Sequence, residues 1–249
     1  MTVRHDDVTV EWFGYATVRL ETADGFVAYI DPGRYGVLTG EWEPDSPDAA
    51  HPDPVDYHAA DGDAVFVTHD HHYDSDGIER VAGEDATVVV YEGVDADAIG
   101  RDVTPPSELP YEVVRIGEED HLTVGDCDAW SIPAYNEENG PHTGDDGEPF
   151  HPKGFGIGYL LSLNGSTVFW PGDTDALSGH RALDVDVFLP PIGGSFTMDR
   201  REAAALAADL DPALVVPIHY GTFAALETDS AAFAEDVENR GITVALDED

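Results

Sequence analysis

Three apolar segments of this sequence each end in histidine or aspartate, and this pattern constrains the fold more than any other feature. They are residues 65–71, 168–173 and 215–219, which end in His69-Asp70-His71, Asp173 and His219. Short apolar runs of this kind predict buried β-strands, and a strand fixes where its last residue points. Imidazole nitrogens and carboxylate oxygens bind zinc and related ions. The pattern therefore predicts a shared metal site, although one histidine after one strand would more often be a packed core residue.

The order of the predicted elements indicates a single α/β domain. Strands are predicted at 8–13, 17–21, 26–30, 64–67, 87–91, 111–116, 121–124, 129–133, 156–163, 167–170, 185–189, 214–218 and 242–245. Helices are predicted at 77–81, 199–210 and 230–240, and Asp199 with Glu202 forms a capping-box pattern at the start of the second. No change in composition marks an interdomain linker. We expect one domain over residues 1–249, with sheets inside and helices outside.

The charge of the chain is strongly acidic. It has 52 acidic and 11 basic residues, a net charge of −41, and Lys153 as its only lysine. Its aromatic content of 10% and its strand-like runs argue against an acidic disordered chain. We expect a folded halophilic protein whose acidic surface is screened at molar salt. Nucleic acids and anionic membranes both attract basic residues, so neither is expected as a partner.

The sequence predicts neither a signal peptide nor a membrane span. Residues 1–7 lack the basic and apolar regions of a signal peptide, and no apolar run approaches the roughly 18 residues of a membrane span. Cys127 is the single cysteine, which excludes an intramolecular disulfide and a cysteine-based zinc cluster. We expect a cytoplasmic protein that acts on a small-molecule substrate. The sequence is compatible with a monomer and with a homo-oligomer.

Several sequence blocks between about residue 11 and residue 223 resemble the hydrolases of the metallo-β-lactamase fold. The blocks are residues 12–17, 30–32, 68–71, 133–136, 150–154, 171–174, 189–198 and 217–223. The last two resemble the branch of metal-dependent hydrolases related to the ascorbate-6-phosphate lactonase group. The resemblance implies a four-layer αββα metallo-β-lactamase-type sandwich.

The resemblance also implies a set of metal ligands. His69 and His71 would bind the first ion, with His151 as the third histidine and His142 in the same loop as the alternative. Asp173 would be shared between two ions, and His219 would bind the second. Asp31 would either orient a ligand imidazole or serve only as a turn carboxylate.

The main motif departs from the family pattern His-x-His-x-Asp-His. Residues 69–76 read His-Asp-His-His-Tyr-Asp-Ser-Asp. Aligned without a gap, Tyr73 takes the aspartate place and Asp74 the last histidine place. With one inserted residue, Asp74 keeps the aspartate place and Ser75 replaces the histidine. Either alignment removes a histidine, so we expect a second site that is weaker or rebuilt around carboxylates. Asp74 is expected to be a metal ligand and the catalytic residue that orients the water or carries its proton.

The activity that the resemblance implies is metal-dependent hydrolysis. A metal-activated water would attack a small ester, lactone, thioester or phosphoester. We expect one or two divalent ions, zinc first, with manganese or iron as alternatives. Tyr220, beside His219, would either donate a hydrogen bond to the developing oxyanion or simply pack. The alternative function is a metal-binding sensor or scaffold of the same fold without turnover. Specificity is expected to lie in loops 32–62 and 135–154.

Overall fold

A computed structural model describes residues 3–47 and 49–248 of the chain. Four residues of the predicted features lie outside these ranges: Met1 and Thr2 of the N-terminal segment, Asp48 of the 32–62 loop, and Asp249 at the end of the predicted domain. The described residues form fourteen β-strands in two sheets and three α-helices.

The first sheet is built from the first half of the chain in sequence order. Its strands are β1 (Val3–His5), β2 (Val8–Gly14), β3 (Thr17–Thr22), β4 (Val27–Ile30), β5 (Gly62–Val67), β6 (Ala82–Tyr91) and β7 (Glu112–Ile116). Neighbouring strands are antiparallel from β1 to β4 and parallel from β4 to β7. Helix α1 (Ser75–Val81) connects the parallel strands β5 and β6.

The second sheet repeats this construction with the second half of the chain. Its strands are β8 (His121–Val124), β9 (Cys127–Ala134), β10 (Gly156–Leu163), β11 (Ser166–Trp170), β12 (Val187–Phe188), β13 (Leu214–Val215) and β14 (Thr243–Val244). Strands β8 to β11 are antiparallel, and β11 to β14 are parallel. Helix α2 (Arg200–Leu210) connects β12 to β13, and helix α3 (Ser230–Glu238) connects β13 to β14.

Local sequence signals explain several of these boundaries. Asn164 and Gly165, which join β10 to β11, both have positive φ angles, 50° and 87°. Two-residue hairpin loops favour this conformation because its twist matches that of the flanking strands. At the start of α2, the Asp199 carboxylate accepts the Glu202 backbone N–H, and the Glu202 side chain accepts the Asp199 N–H. The predicted hairpin and the predicted capping box are therefore both confirmed.

The two sheets pack face to face around one hydrophobic core. Phe66 of β5 and Tyr159 of β10 lie with ring centroids 5.1 Å apart, and the Tyr159 hydroxyl donates to the Val67 carbonyl oxygen. Since parallel strands need crossover connections on the faces of a sheet, the helices cover the outer sides of this sandwich. The architecture is the expected αββα sandwich.

The carboxyl ends of the parallel strands define where ligands can bind. In each sheet the pairing changes from antiparallel to parallel once, at β4 in the first sheet and at β11 in the second. Open sheets with parallel strands bind ligands beyond the carboxyl ends of the strands. Asp31 follows β4, and the loop between Trp170 and Asp173 follows β11. The segments that follow both changes of pairing therefore lie in the same region, beyond the carboxyl ends of the strands. None of the described helices is long and apolar enough to cross a membrane.

Candidate metal centre

A tight turn after β5 brings three histidines together. The backbone N–H groups of His72 and Tyr73 both donate to the His69 carbonyl oxygen, at 3.2 and 3.1 Å. The turn places the rings of His69 and His72 with centroids 4.2 Å apart. The Tyr73 ring is buried on the other side, where its hydroxyl donates to the Thr104 carbonyl oxygen.

One group of ligand-type atoms surrounds an oxygen of Asp173. His69 Nε2 lies 3.7 Å and His151 Nε2 lies 3.4 Å from Asp173 Oδ2. His71 Nδ1 lies 3.2 Å from His151 Nε2. The ligand atoms of the three histidines all lie within 4.8 Å of one another, which is compact enough to hold one metal ion. The three histidines come from the β5 turn and from the loop before β10.

A second group surrounds the other oxygen of the same carboxylate. His219 Nε2 lies 3.3 Å and His72 Nε2 lies 3.5 Å from Asp173 Oδ1. The two imidazole nitrogens lie 3.3 Å from each other. His219 belongs to the segment after β13, so both sheets contribute to this group. Asp173 therefore stands between two sets of imidazoles, with one oxygen toward each.

The Asp31 carboxylate orients two of these rings. Its Oδ2 lies 2.9 Å from His72 Nδ1 and accepts the Thr68 hydroxyl at 2.8 Å. The Thr68 oxygen in turn lies 2.9 Å from His69 Nδ1. An ionised carboxylate only accepts, so these contacts assign the protons to the Nδ1 atoms. The Nε2 lone pairs of both histidines are then directed at Asp173.

A separate network orients His151. Its Nδ1 lies 3.2 Å from both the Asn136 side-chain oxygen and the Phe196 carbonyl oxygen, so it carries the proton and leaves Nε2 free. Asn136 donates to Asp175, whose Oδ1 lies 2.6 Å from His142 Nδ1. Of the two histidines considered for the third position, the structure brings His151 into the cluster. It places His142 behind it, bonded to Asp175 and to the Gly194 carbonyl oxygen.

Protonation in this cluster favours metal ligation. Burial lowers the pKa of His69 well below its usual value and that of His71 to about 4. Burial opposes ionisation of Asp173, but the imidazoles of His219 and His72 hold its pKa well below the usual range. Burial also lowers the pKa of His72, and the carboxylates of Asp173 and Asp31 outweigh it and raise that pKa. Neutral His69 and His71 beside an ionised Asp173 are donors of the kind that metals require, whereas a metal ion at His72 would compete with a proton.

Three residues at the cluster have a strained backbone. Tyr15, Asp31 and His219 have φ angles of 50°, 45° and 57° without being glycines. The His219 N–H donates to the Tyr15 carbonyl oxygen at 2.8 Å, which ties the first sheet to the second at this point. Residues held in this sparsely populated region cost of order 1–3 kcal/mol each and concentrate at functional sites.

The atoms left without partners indicate that a cation fits here. Among the described residues, His69 Nε2 and Asp173 Oδ1 are buried without a hydrogen-bond partner. Each such atom costs roughly 1–3 kcal/mol unless something compensates it. Ligand atoms about 2.0–2.1 Å from a tetrahedral zinc ion lie roughly 3.3 Å apart, close to the 3.2–3.7 Å contacts observed here. The residues therefore suit a metal ion at each side of Asp173.

Comparison with known proteins agrees with this geometry. The family model of the β-lactamase superfamily domain matches residues 9–219. The chain belongs to this superfamily. A UPF0173 metal-dependent hydrolase from Methanopyrus kandleri is 31% identical over 243 residues, which cover 95% of this chain and 94% of the relative.

Solved structures of the superfamily share the fold at lower sequence identity. A metallo hydrolase from Ignicoccus hospitalis superposes with a TM-score of 0.65 at 22% identity, covering 96% of this chain and 94% of that one. A candidate metal-dependent hydrolase from Parabacteroides distasonis superposes with a TM-score of 0.68 at 22% identity, covering 97% and 93%. At these identities the likeness supports the fold alone.

Against the superfamily pattern, the structure corrects the expected role of Asp74. Its Oδ1 accepts the Gly77 N–H at the N-terminus of α1, and its Oδ2 accepts the Arg34 N–H. The carboxylate therefore caps a helix and lies outside the cluster. His72, to which neither alignment of the motif gives a ligand role, joins the second group in its place. Its position next to His71 and three residues after His69 is the sequence signal that could have revealed it.

Tyr220 also lies away from the cluster. Its ring stacks on Trp12 with centroids 4.7 Å apart, and its hydroxyl donates to Glu248 at 2.8 Å. This is the packing role that the sequence left open. Tyr15 is the tyrosine at the site: it lines the cavity beside Asp173, and its ring centroid lies 4.5 Å from that of His219.

A cavity of about 590 Å³ opens onto the cluster. His71, His151, Asp173 and His219 form its floor. Aromatic and aliphatic side chains form much of its wall, and they are Tyr35, Ile99, Phe150, Phe155, Phe196 and Phe223. Concave sites with mostly apolar walls and a few convergent polar groups are typical of small-molecule binding.

Proposed function

We propose that this metal-dependent hydrolase of the superfamily binds two divalent ions, zinc in the first instance, and cleaves a small ester, lactone, thioester or phosphoester. The observation that supports the proposal is the placement of Asp173, with Oδ2 toward His69 and His151 and Oδ1 toward His72 and His219. A carboxylate shared in this way is suited to bridge two ions.

The two ligand sets would differ in how completely the protein encloses the ion. His69, His71, His151 and Asp173 offer four ligand atoms to the first ion. His72, His219 and Asp173 would offer three to the second, the number of protein ligands that is usual in catalytic zinc sites. When bound, the ions acidify a water molecule, polarise the scissile carbonyl or phosphoryl group and stabilise the developing negative charge.

The protein itself orients the ligands and supplies a hydrogen-bond donor. Asp31 and Thr68 hold His72 and His69 in fixed tautomers, so no reorganisation is needed when the site is loaded. The Tyr15 hydroxyl makes no hydrogen bond to another described residue. Burial and the nearby Asp173 raise the pKa of Tyr15 well above its usual value, so it stays protonated. It is therefore available to donate to the oxyanion of the transition state.

The proposal extends to partners and location. A cavity of about 590 Å³ suits a small molecule, and a net charge of −41 disfavours nucleic acid and anionic membranes. The same charge supports a cytoplasmic location. The sensor or scaffold alternative would use the same ions without turnover, so activity, and not metal content, separates the two.

The metal content of the purified protein tests the proposal. Protein purified in molar salt should contain two zinc ions per chain by elemental analysis, and the double variant His69→Ala, His71→Ala should retain at most one. His121→Ala, which removes a half-exposed histidine stacked on Trp130, is the control and should leave the content unchanged. Wild-type content near zero, or content unaffected by the double variant, would remove the enzyme hypothesis.

A further inference from the structure

We propose that Arg34 and Arg101 form a binding subsite for an anionic group, a carboxylate or a phosphate, carried by the substrate. This inference rests on the proposed function and narrows the substrate class to small anionic molecules with an apolar body. Both arginines line the cavity above the cluster, Arg34 from the loop after β4 and Arg101 from the loop after β6.

The scarcity of basic residues makes this placement informative. Only 11 of the 249 residues are lysine or arginine, against 52 acidic ones. Five other arginines form ion pairs with carboxylates: Arg4, Arg19, Arg80, Arg181 and Arg200. Within the described residues, neither Arg34 nor Arg101 forms such a pair. Among the same residues, Arg115, Arg201, Arg240 and Lys153 form none either, but none of these four lines the cavity. In a chain this acidic, two half-buried guanidiniums that line one cavity without an ion pair among the described residues require an explanation.

Backbone contacts hold both side chains in place. Arg34 Nε donates to the His71 carbonyl oxygen at 2.8 Å, and its guanidinium carbon lies 4.4 Å from the centroid of the Tyr35 ring. Arg101 Nη2 donates to the carbonyl oxygens of Asp70 and Tyr73, both at 3.0 Å. These bonds leave the two terminal nitrogens of Arg34, and Nε and Nη1 of Arg101, free to donate. Fixed guanidiniums lose little entropy when they bind an anion, and their planar fork matches carboxylate and phosphate oxygens.

The electrostatics of the cavity mouth agree with an anion site. Burial lowers the pKa of Arg101, and the nearby positive charge of Arg34 lowers it further, which means that the two guanidiniums repel each other. The nearby carboxylates of Asp74 and Asp70 attract Arg101, but among the described residues neither forms an ion pair with it. Asp74 accepts two backbone N–H groups, and Asp70 accepts the Asp95 N–H. An anion between the arginines would relieve the repulsion that the empty pair creates.

The rest of the cavity indicates what the anionic group is attached to. Beyond the arginines the wall is formed by the rings of Phe150, Phe155, Phe196 and Phe223. Aromatic walls bind apolar or aromatic bodies, while the cluster on the floor faces the bond to be cleaved. The substrate would therefore carry its charge near one end, an apolar body in the middle and the hydrolysable bond over Asp173.

Binding of three matched probes tests the subsite directly. Benzamide, benzoate and phenylphosphonate share one aromatic body and differ in their charge. Their affinities for zinc-loaded protein are measured by calorimetry at the lowest salt that keeps the protein folded, because salt screens exposed charge interactions. We expect benzoate or phenylphosphonate to bind at least about tenfold more tightly than benzamide. Preference for benzoate would identify a carboxylate substrate, and preference for phenylphosphonate a phosphate substrate.

Arginine variants separate the subsite from the metal ions, which also attract anions. Arg34→Gln and Arg101→Gln keep hydrogen-bond donors and remove the charge. Each substitution should lower the affinity for the two anionic probes about tenfold and leave the affinity for benzamide unchanged. The metal content should stay the same. Arg115→Gln is the control, because Arg115 also donates to two carbonyl oxygens, those of Glu92 and Val94, but does not line the cavity. Equal loss in Arg115→Gln, or no loss in the cavity variants, would overturn the proposal.

Failure of this inference can be told apart from failure of the proposed function. If the protein holds two ions and hydrolyses 4-nitrophenyl acetate as fast as the anionic ester mono(4-nitrophenyl) succinate, the enzyme proposal stands and the subsite is wrong. If neither ester is hydrolysed while anions still bind through the two arginines, the subsite stands and the hydrolase proposal fails. Should a glutamine variant not fold, the comparison of benzamide with the two anions is made in metal-free wild-type protein, where no metal ion attracts the anions. Equal affinities for the three probes there would overturn the proposal.

Discussion

His72 Nδ1 lies 2.9 Å from Asp31 Oδ2 in the interior of the protein, where neither side chain is exposed to solvent. The same oxygen accepts the Trp170 indole N–H and the Thr68 hydroxyl. One carboxylate at the end of β4 thus orients a histidine from the turn after β5, and a tryptophan of the opposite sheet holds that carboxylate. Orientation of a metal ligand depends here on contacts between both halves of the chain.

Removing the Asp31 charge should weaken metal binding without removing a ligand. In Asp31→Asn the amide cannot accept from every donor that now surrounds Oδ2, so His72 loses its fixed orientation. Loss of a hydrogen bond to a metal ligand typically lowers metal affinity about 10–100-fold. We expect the affinity for the weaker-bound ion to fall by that factor, measured by competition with a chelator. Asp186→Asn is the control, since Asp186 accepts from Thr167 at a distance from the cluster. Equal losses in both variants would mean general destabilisation.

Much of the cluster was predictable because strands fix the ends that follow them. His69, His71, Asp173 and His219 all follow apolar runs, and the structure brings the four together. His72 was missed for a physical reason. The motif was aligned by residue type, whereas the side chain that enters the cluster is decided by the turn in which the N–H groups of residues 72 and 73 share one carbonyl. That turn depends on burial of Tyr73, which alignment does not show.

The competing assignments of His72 and Asp74 can be separated by metal content. We expect His72→Ala to contain one ion per chain in place of two, because the remaining two ligands of the second group hold an ion poorly. Asp74→Ala should keep both ions and lose about 1 kcal/mol of unfolding free energy, the usual effect of removing a helix N-cap. Elemental analysis and denaturant unfolding in constant high salt measure the two effects. An ion lost from Asp74→Ala but kept in His72→Ala would restore the carboxylate-based second site.

The cavity itself was less predictable than its floor. Arg34, Tyr35 and Arg101 come from irregular loops, and no periodicity marks which loop residues face the same cavity. The left-handed backbone of Tyr15 is equally hidden, since a tyrosine after a glycine is not a recognised turn signal. Long-range contacts hold the Tyr15 backbone: its N–H donates to His51 Nε2, and its carbonyl oxygen accepts from the His219 N–H.

The His51 contact predicts a pH dependence of stability. His51 Nε2 accepts the Tyr15 N–H and Nδ1 donates to the Pro52 carbonyl oxygen, so the ring must be neutral. Burial lowers its pKa from 6.5 to about 4. As the pH falls, His51 therefore binds a proton in the unfolded chain before it does so in the folded protein. The free energy of unfolding should drop by about 3 kcal/mol as the pH falls from 6.5 toward 4. In metal-free protein His51→Gln should show a smaller loss between pH 7 and pH 4.5. Parallel pH curves for the two proteins would contradict this.

The net charge of the chain predicts that salt stabilises the protein by screening. A net charge of −41 creates self-repulsion in the compact state. The Debye length is about 10 Å at 0.1 M salt and about 3 Å at 1 M. The melting temperature should therefore rise with KCl mainly below about 1 M and level off above it. A rise that continues linearly to 3 M would indicate exclusion of salt from the protein surface in place of screening.

The Tyr15 hydroxyl, which bonds to none of the described residues, predicts a catalytic effect that is independent of metal binding. Tyr15→Phe keeps the ring against His219 and removes only the donor, so both ions should stay bound. Loss of one donor to a developing oxyanion lowers kcat by about 10²–10³-fold. Tyr220→Phe is a matched control, because the Tyr220 hydroxyl is bound to Glu248 away from the cavity, and its kcat should stay close to that of the wild type. If the two variants hydrolyse an activated ester equally fast with unchanged metal content, the Tyr15 hydroxyl has no part in the reaction.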